Sequence, residues 1–167
     1  IKPYTQIYGD IDGQEVLKKI EAVGRTCYKS EDKIKEGSAE KFVANLIKRN
    51  HEAMLEHASF IFEVDLLFYA ESLDIINRLE ANGEFVSFLR FTDDTRPIIS
   101  GNVRAWRNFF KVLVKAHGCL PCGSKKFIEN NSTLFPEFQD VKCLDNGNGL
   151  KPLSVADLQT ENEKLTH

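Results

Sequence analysis

The apolar positions change period several times along the chain, and each change marks an element. Tyr4 to Tyr8 alternates weakly, which suggests an edge strand. Val16, Leu17, Ile20 and Val23 share one helical face, Asp12 stands at capping-box spacing from Glu15, and Gly24 is the expected stop. Residues 25–37 are charged and aperiodic. Ser38 is the expected N-cap of a second helix, carried by Phe42, Val43, Leu46 and Ile47 and stopped by Asn50. From Ala58 the period drops to two: Phe60, Phe62, Val64 and Leu66 alternate with Ser59, Ile61, Glu63 and Asp65, the pattern of a half-buried strand.

Helical spacing returns over 70–81 through Leu73, Ile76 and Leu79, and ends at Asn82-Gly83. Phe85 to Phe91 reads as a second strand and Asp93 to Pro97 as a turn. Ser100 is expected to open the longest helix, with Val103, Trp106, Phe110, Leu113 and Val114 as its apolar stripe and Gly118 just past its end. Beyond Gly118 the pattern weakens. Asn130-Asn131-Ser132 and Asp145 to Gly149 are loop-forming runs, and Ser154 to Leu165 has the makings of a short helix. Helices interleaved with few strands predict an α+β fold, a small antiparallel sheet packed against helices. The core is expected over 1–117, with 118–167 a loop-rich extension of the same domain.

Composition narrows the function classes. At 167 residues and 42% apolar, the chain has core enough to fold without a disulfide or metal. The formal charge of −3 gives no reason to expect nucleic acid or an anionic membrane as partner, although a local basic stripe could still hold a phosphate. No run of 18 apolar residues suggests a transmembrane helix, and Ile1-Lys2-Pro3-Tyr4-Thr5 lacks the apolar core of a signal peptide. Cys27, Cys119, Cys122 and Cys143 are then expected as reduced thiols in a cytoplasmic protein.

Four segments carry candidate chemistry. His51-Glu52-Ala53-Met54-Leu55-Glu56-His57 offers two imidazoles and two carboxylates for acid–base or metal work, or simply for satisfying backbone groups at a helix-to-strand junction. Its two His are six apart rather than four, which excludes the zinc-protease pattern. The helix start Ser100-Gly101-Asn102-Val103-Arg104 presents N–H groups to an anion. Arg104, Arg107, Lys111 and Lys115 follow as a cationic stripe, either a phosphate site or a solvated face. Cys119-Leu120-Pro121-Cys122, with His117 and Cys143, has the ligand types of a zinc-bearing interaction domain; two ordinary thiols are the simpler reading, and no metal is expected. Arg25-Thr26-Cys27-Tyr28-Lys29-Ser30 offers a phosphate contact or plain loop chemistry.

In this order, Gly24 to Ser30, His51 to Phe62 and Ser100 to Phe109 resemble the flavin-dependent thymidylate synthases. The resemblance implies the α+β fold of the thymidylate synthase complementing proteins, a homotetramer, and FAD and dUMP bound between subunits. It also implies methylation of dUMP to dTMP with methylenetetrahydrofolate as carbon donor and NADPH as reductant. It places His51 near the flavin and gives Asn102, Arg104 and Asn108 to FAD binding. Three departures accompany it. The family's Arg-His-Arg signature occurs nowhere in the chain, Ala53 stands where a hydroxyl residue is common, and Leu113 stands where the family carries an Arg that activates dUMP. Catalytic and substrate-binding residues are therefore unassigned. Two functions follow, a weak or fully active synthase and a degenerate, non-catalytic flavin- or nucleotide-binding module.

Overall fold

The computed structural model describes residues 12–64, 66–83, 88–92, 97–144 and 150–152. Helix α1 (Gly13–Cys27) begins where the sequence predicts: Asp12 is extended at the N-cap, and its side chain accepts from the Gln14 N–H at 2.9 Å. Glu15 does not complete a capping box; it pairs with Lys18 at 2.7 Å. The helix does not stop at Gly24. That residue is buried inside α1, and a Cβ built there would lie 2.6 and 2.7 Å from ring carbons of Phe42. Gly24 is thus a close-approach residue where α1 meets α2 (Ser38–Lys48), not a terminator. Gly24→Val should cost about 1–3 kcal/mol by overpacking this crossing, seen as a lower urea midpoint at unchanged slope.

Helix α2 is capped by Gly37, in the left-handed region at φ 73°, one residue before the predicted Ser38. Val43, Leu46 and Ile47 face the core as expected, and Asn50 follows the helix at φ 57°. Short 3-10 turns occupy Glu31–Lys33 and Glu52–His57. Strand β1 (Ser59–Val64) follows, and helix α3 spans Leu66–Ala81, so Leu66 belongs to the helix rather than the strand. Strands β2 (Phe88–Thr92) and β3 (Pro97–Asn102) come next. Strand β3 overturns two expectations. Pro97 starts a strand instead of closing a turn, and Ser100 lies within it, so helix α4 (Val103–His117) begins three residues later than predicted. At 15 residues α4 is also one shorter than α3. The cause is that Pro97-Ile98-Ile99-Ser100 shows no polar–apolar alternation, so this segment does not read as a strand without its partner β1.

The sheet order is β2-β3-β1-β6, where β6 is Leu150–Pro152, and every pairing is antiparallel. Sequence and structure agree on the α+β class. Central β1 is buried on both faces. Phe60 and Phe62 point into the main core, while Ile61, on the other face, is still only 5% exposed. Phe62 sits against Trp106, Phe127 and Phe110, with ring centroids 4.6, 5.2 and 6.0 Å away.

The weak pattern past Gly118 conceals regular structure. Gly118 ends α4 at φ 69°, as predicted. Strand β4 (Cys119–Pro121), helix α5 (Cys122–Asn130), a 3-10 turn at Pro136–Phe138 and strand β5 (Lys142–Leu144) follow, with β4 and β5 paired in parallel. Leu120, Phe127, Ile128, Leu134, Phe135 and Phe138 all join the main core. Among the described residues no helix is long and apolar enough to cross a membrane. The expected edge strand at Tyr4–Tyr8, the segments at 84–87, 93–96 and 145–149, and the helix at 154–165 lie outside the described residues.

Candidate functional site

The 3-10 turn Glu52–His57 is the hub of the candidate chemistry, because it joins α4 by two ion pairs. Arg104 donates to Glu56 at 2.5 Å, and the side chains are 31% and 23% exposed. Arg107 is 1% exposed, and its whole guanidinium fork is used. Nε and Nη2 donate to Glu52 at 3.3 and 3.0 Å, Nη1 donates to the Leu134 carbonyl at 2.5 Å, and both Nη groups reach Glu137. The expected cationic stripe is therefore not one face. Arg107 points inward as a clamp on two carboxylates, Lys111 is half exposed and 3.8 Å from Glu52, and Lys115 is exposed. The i, i+3 spacing that placed Arg104 and Arg107 together is correct; the assumption that both face water is not.

The anion-ready helix start is also largely engaged. The Asn102 carbonyl oxygen accepts from the Ala105 N–H at 2.8 Å, and the Val103 N–H donates to the Ala58 carbonyl at 2.9 Å. Asn102 is 8% exposed and works as the N-cap. Asn108 lies half-buried on α4. Two of the four N-terminal N–H groups are thus spent, and the adjacent Arg are balanced by carboxylates. Arg104 is paired with Glu56, and Arg107 with Glu52 and Glu137, beside this helix start.

Unbalanced positive charge collects instead in a cleft of about 670 Å³ between the end of α1 and the length of α2. Its walls include Arg25, Lys35, Lys41, Arg49 and His51, with Glu36 the one carboxylate among the lining residues. Two of the three resemblance segments meet here, one through Arg25, Tyr28 and Ser30 and the other through His51, which is exposed. Lys35, Lys41 and Arg49 have no carboxylate within salt-bridge distance among the described residues. Tyr28 adds an exposed ring, 51% accessible. The volume lies within the usual range for small-molecule sites, and the charge suits phosphate. The sequence reading named Arg25 and His51 but missed Lys41, Asn45 and Arg49, which recur at intervals of four on α2 and so form one face.

The hub leaves His51 and His57 exposed, while Glu52 and Glu56 are occupied by arginines. His117, offered as a zinc ligand, bonds Glu71 instead. Among the described residues no group of three or more His, Cys, Asp or Glu is placed to hold a metal. The side chains of Cys122, Cys143, Arg90 and Arg96 lie outside the described residues.

Residues 11–71 match the family model of the thymidylate synthase complementing proteins. The matched stretch holds both walls of the cleft and the 3-10 hub, and over it the resemblance read from the sequence holds. No curated protein and no solved structure matches the chain.

Proposed function

We propose that this relative of the thymidylate synthase complementing proteins binds a phosphate-bearing nucleotide in its basic cleft, as a binding module rather than a competent methylase. The observation that carries the reading is the set of cations at Arg25, Lys35, Lys41 and Arg49 lining one cleft inside the matched stretch, of which Arg25 alone is ion-paired, to Glu21, among the described residues. FAD, the cofactor the resemblance implies, would meet the same cations through its pyrophosphate. His51, Arg25 and the α2 cations would hold it, and flavin there would supply hydride chemistry. Asn102, Arg104 and Asn108, which the resemblance gives to FAD, lie on α4 or at its N-cap, outside the lining of this cleft. His51 and the exposed Tyr28 ring would orient a planar ring system, and the cations would hold its phosphate.

The case against turnover rests on Leu113. It is 1% exposed in the core, and the resemblance puts there an arginine that would activate the pyrimidine of dUMP. Neighbouring Lys111 and Lys115 lie on other faces of α4. A missing cationic contact in a desolvated site lowers rate by about 10² or more. The purified protein is therefore expected to bind FAD or dUMP and gain stability, by about 2.7 kcal/mol with ligand at a hundred times its Kd. It is expected to release no tritium from 5-labelled dUMP when methylenetetrahydrofolate and NADPH are supplied. A colourless protein with no thermal shift from either ligand contradicts the binding reading, and tritium release contradicts the inactive one. Gel filtration of the same sample reads whether the family's tetramer forms.

A further inference from the structure

Arg25 differs from every other cation in the cleft because it is aimed. Its Nε donates to Glu21 at 3.3 Å, and its guanidinium lies over the Phe42 ring with the carbon 4.4 Å from the centroid. Glu21 is itself fixed. It is 2% exposed, and the Ser38 hydroxyl lies 2.8 Å from each of its oxygens. Ser38 in turn accepts from the Lys35 N–H at 3.0 Å and lies 2.8 Å from the Lys35 carbonyl, at the start of α2. One edge of the guanidinium is therefore held by a buried carboxylate and one face by an aromatic ring. Neither Nη has a hydrogen-bond partner among the described residues, and Arg25 lines the cleft. A planar fork with its Nε tied and its two terminal nitrogens left unpartnered, on a residue that lines a basic cleft, suits a bidentate oxyanion contact.

Resting on the nucleotide reading above, we propose that Arg25 is the residue that grips nucleotide phosphate in this cleft, with Glu21 and Ser38 as its positioning residues. The permanent charges lining the cleft are four cations and one carboxylate, Glu36, a net of +3 before Glu21 is counted. Glu21 offsets one of these, leaving about +2, which matches the two negative charges of a nucleoside monophosphate near neutral pH. Lys at the Arg25 position would keep the charge but lose the fork.

The test is calorimetric titration of the full chain with dUMP, with deoxyuridine and with inorganic phosphate. Wild type is expected to bind dUMP at least tenfold more tightly than deoxyuridine. Arg25→Lys should lose about tenfold or more for dUMP and for phosphate while leaving deoxyuridine affinity within twofold. Ser38→Ala, which frees Glu21 without touching the cleft charge count, should lose several-fold for dUMP and for phosphate and leave deoxyuridine affinity within twofold. A fold defect would lower affinity for all three probes, so unequal loss separates recognition from stability, and thermal unfolding of each variant checks it directly. Wild type that binds dUMP while Arg25→Lys binds it equally well overturns the role of Arg25 and leaves the nucleotide reading standing. Wild type that binds none of the three probes overturns both.

Discussion

Arg107→Met should destabilise the protein by about 3–5 kcal/mol, a drop in Tm on the order of 10 °C. The reason is the state in which the carboxylates are left. Arg107 is 1% exposed and is the main cation on Glu52, whose side chain is 9% exposed; Lys111 reaches Glu52 only at 3.8 Å. Methionine fills the aliphatic part of the space but leaves Glu52 buried without its forked donor, and the Leu134 carbonyl loses its 2.5 Å bond. Glu137, at 38% exposure, can turn to water and contributes less. The double variant Arg107→Met/Glu52→Gln should recover a substantial part of the loss, because the two residues act on each other rather than independently. Circular dichroism melts of the two single variants and the double variant measure this. Equal losses in Arg107→Met and the double variant would show that the clamp contributes through packing alone.

Phe62→Ala should cost a similar amount, about 3–5 kcal/mol, through a different mechanism. Phe62 is fully buried on the central strand, and its ring is the shared neighbour of Trp106, Phe110 and Phe127. Removing it opens a cavity where the sheet, α4 and α5 meet, and the surrounding rings are too constrained by one another to close it. Trp106 is the single tryptophan and is itself fully buried, with its Nε1 donating to the Phe60 carbonyl at 3.1 Å. Its emission should therefore shift to the red in Phe62→Ala and much less in Phe62→Leu, while the denaturant midpoint falls. An unchanged spectrum together with a small stability loss would mean the core collapses around the gap.

Much of this architecture was readable before the fold was known, for a physical reason. Long amphipathic helices such as α1 and α4 and an alternating strand such as β1 carry their burial pattern within a single segment. The misreadings share the opposite property. Gly24 looks like a stop because glycine ends helices, and only the Phe42 ring on another helix shows that it permits a crossing. Strand β3 is a strand because β1 and β2 flank it, and residues 97–102 carry little periodicity alone. Helix α5 and the aromatic turn after it are too short to declare a period, yet Phe127, Phe135 and Phe138 complete the core.

The candidate site divides along the same line. His51 and Arg25 were visible through the motifs they belong to, and Lys41 and Arg49 were visible in principle through their spacing on α2. The neutralisation of Arg104 and Arg107 was not visible. Their carboxylates lie 48, 55 and 30 residues away in the chain, and no local pattern announces such pairs.

The position of β1 also bears on how the molecule is made. Its neighbours in the sheet are β3, which begins at Pro97, and β6, which begins at Leu150. During synthesis the strand that anchors the core must wait for most of the chain to be synthesised before its second edge is covered. Contacts this distant in sequence slow folding, because the intervening loop must close before any pairing is gained. Until then Phe60 and Phe62 sit on an uncovered strand, the kind of segment that pairs with other chains. Slower translation or a holding chaperone should therefore raise the yield of native protein more than lower temperature alone, and aggregates formed without them should contain the 59–64 segment in their protected core.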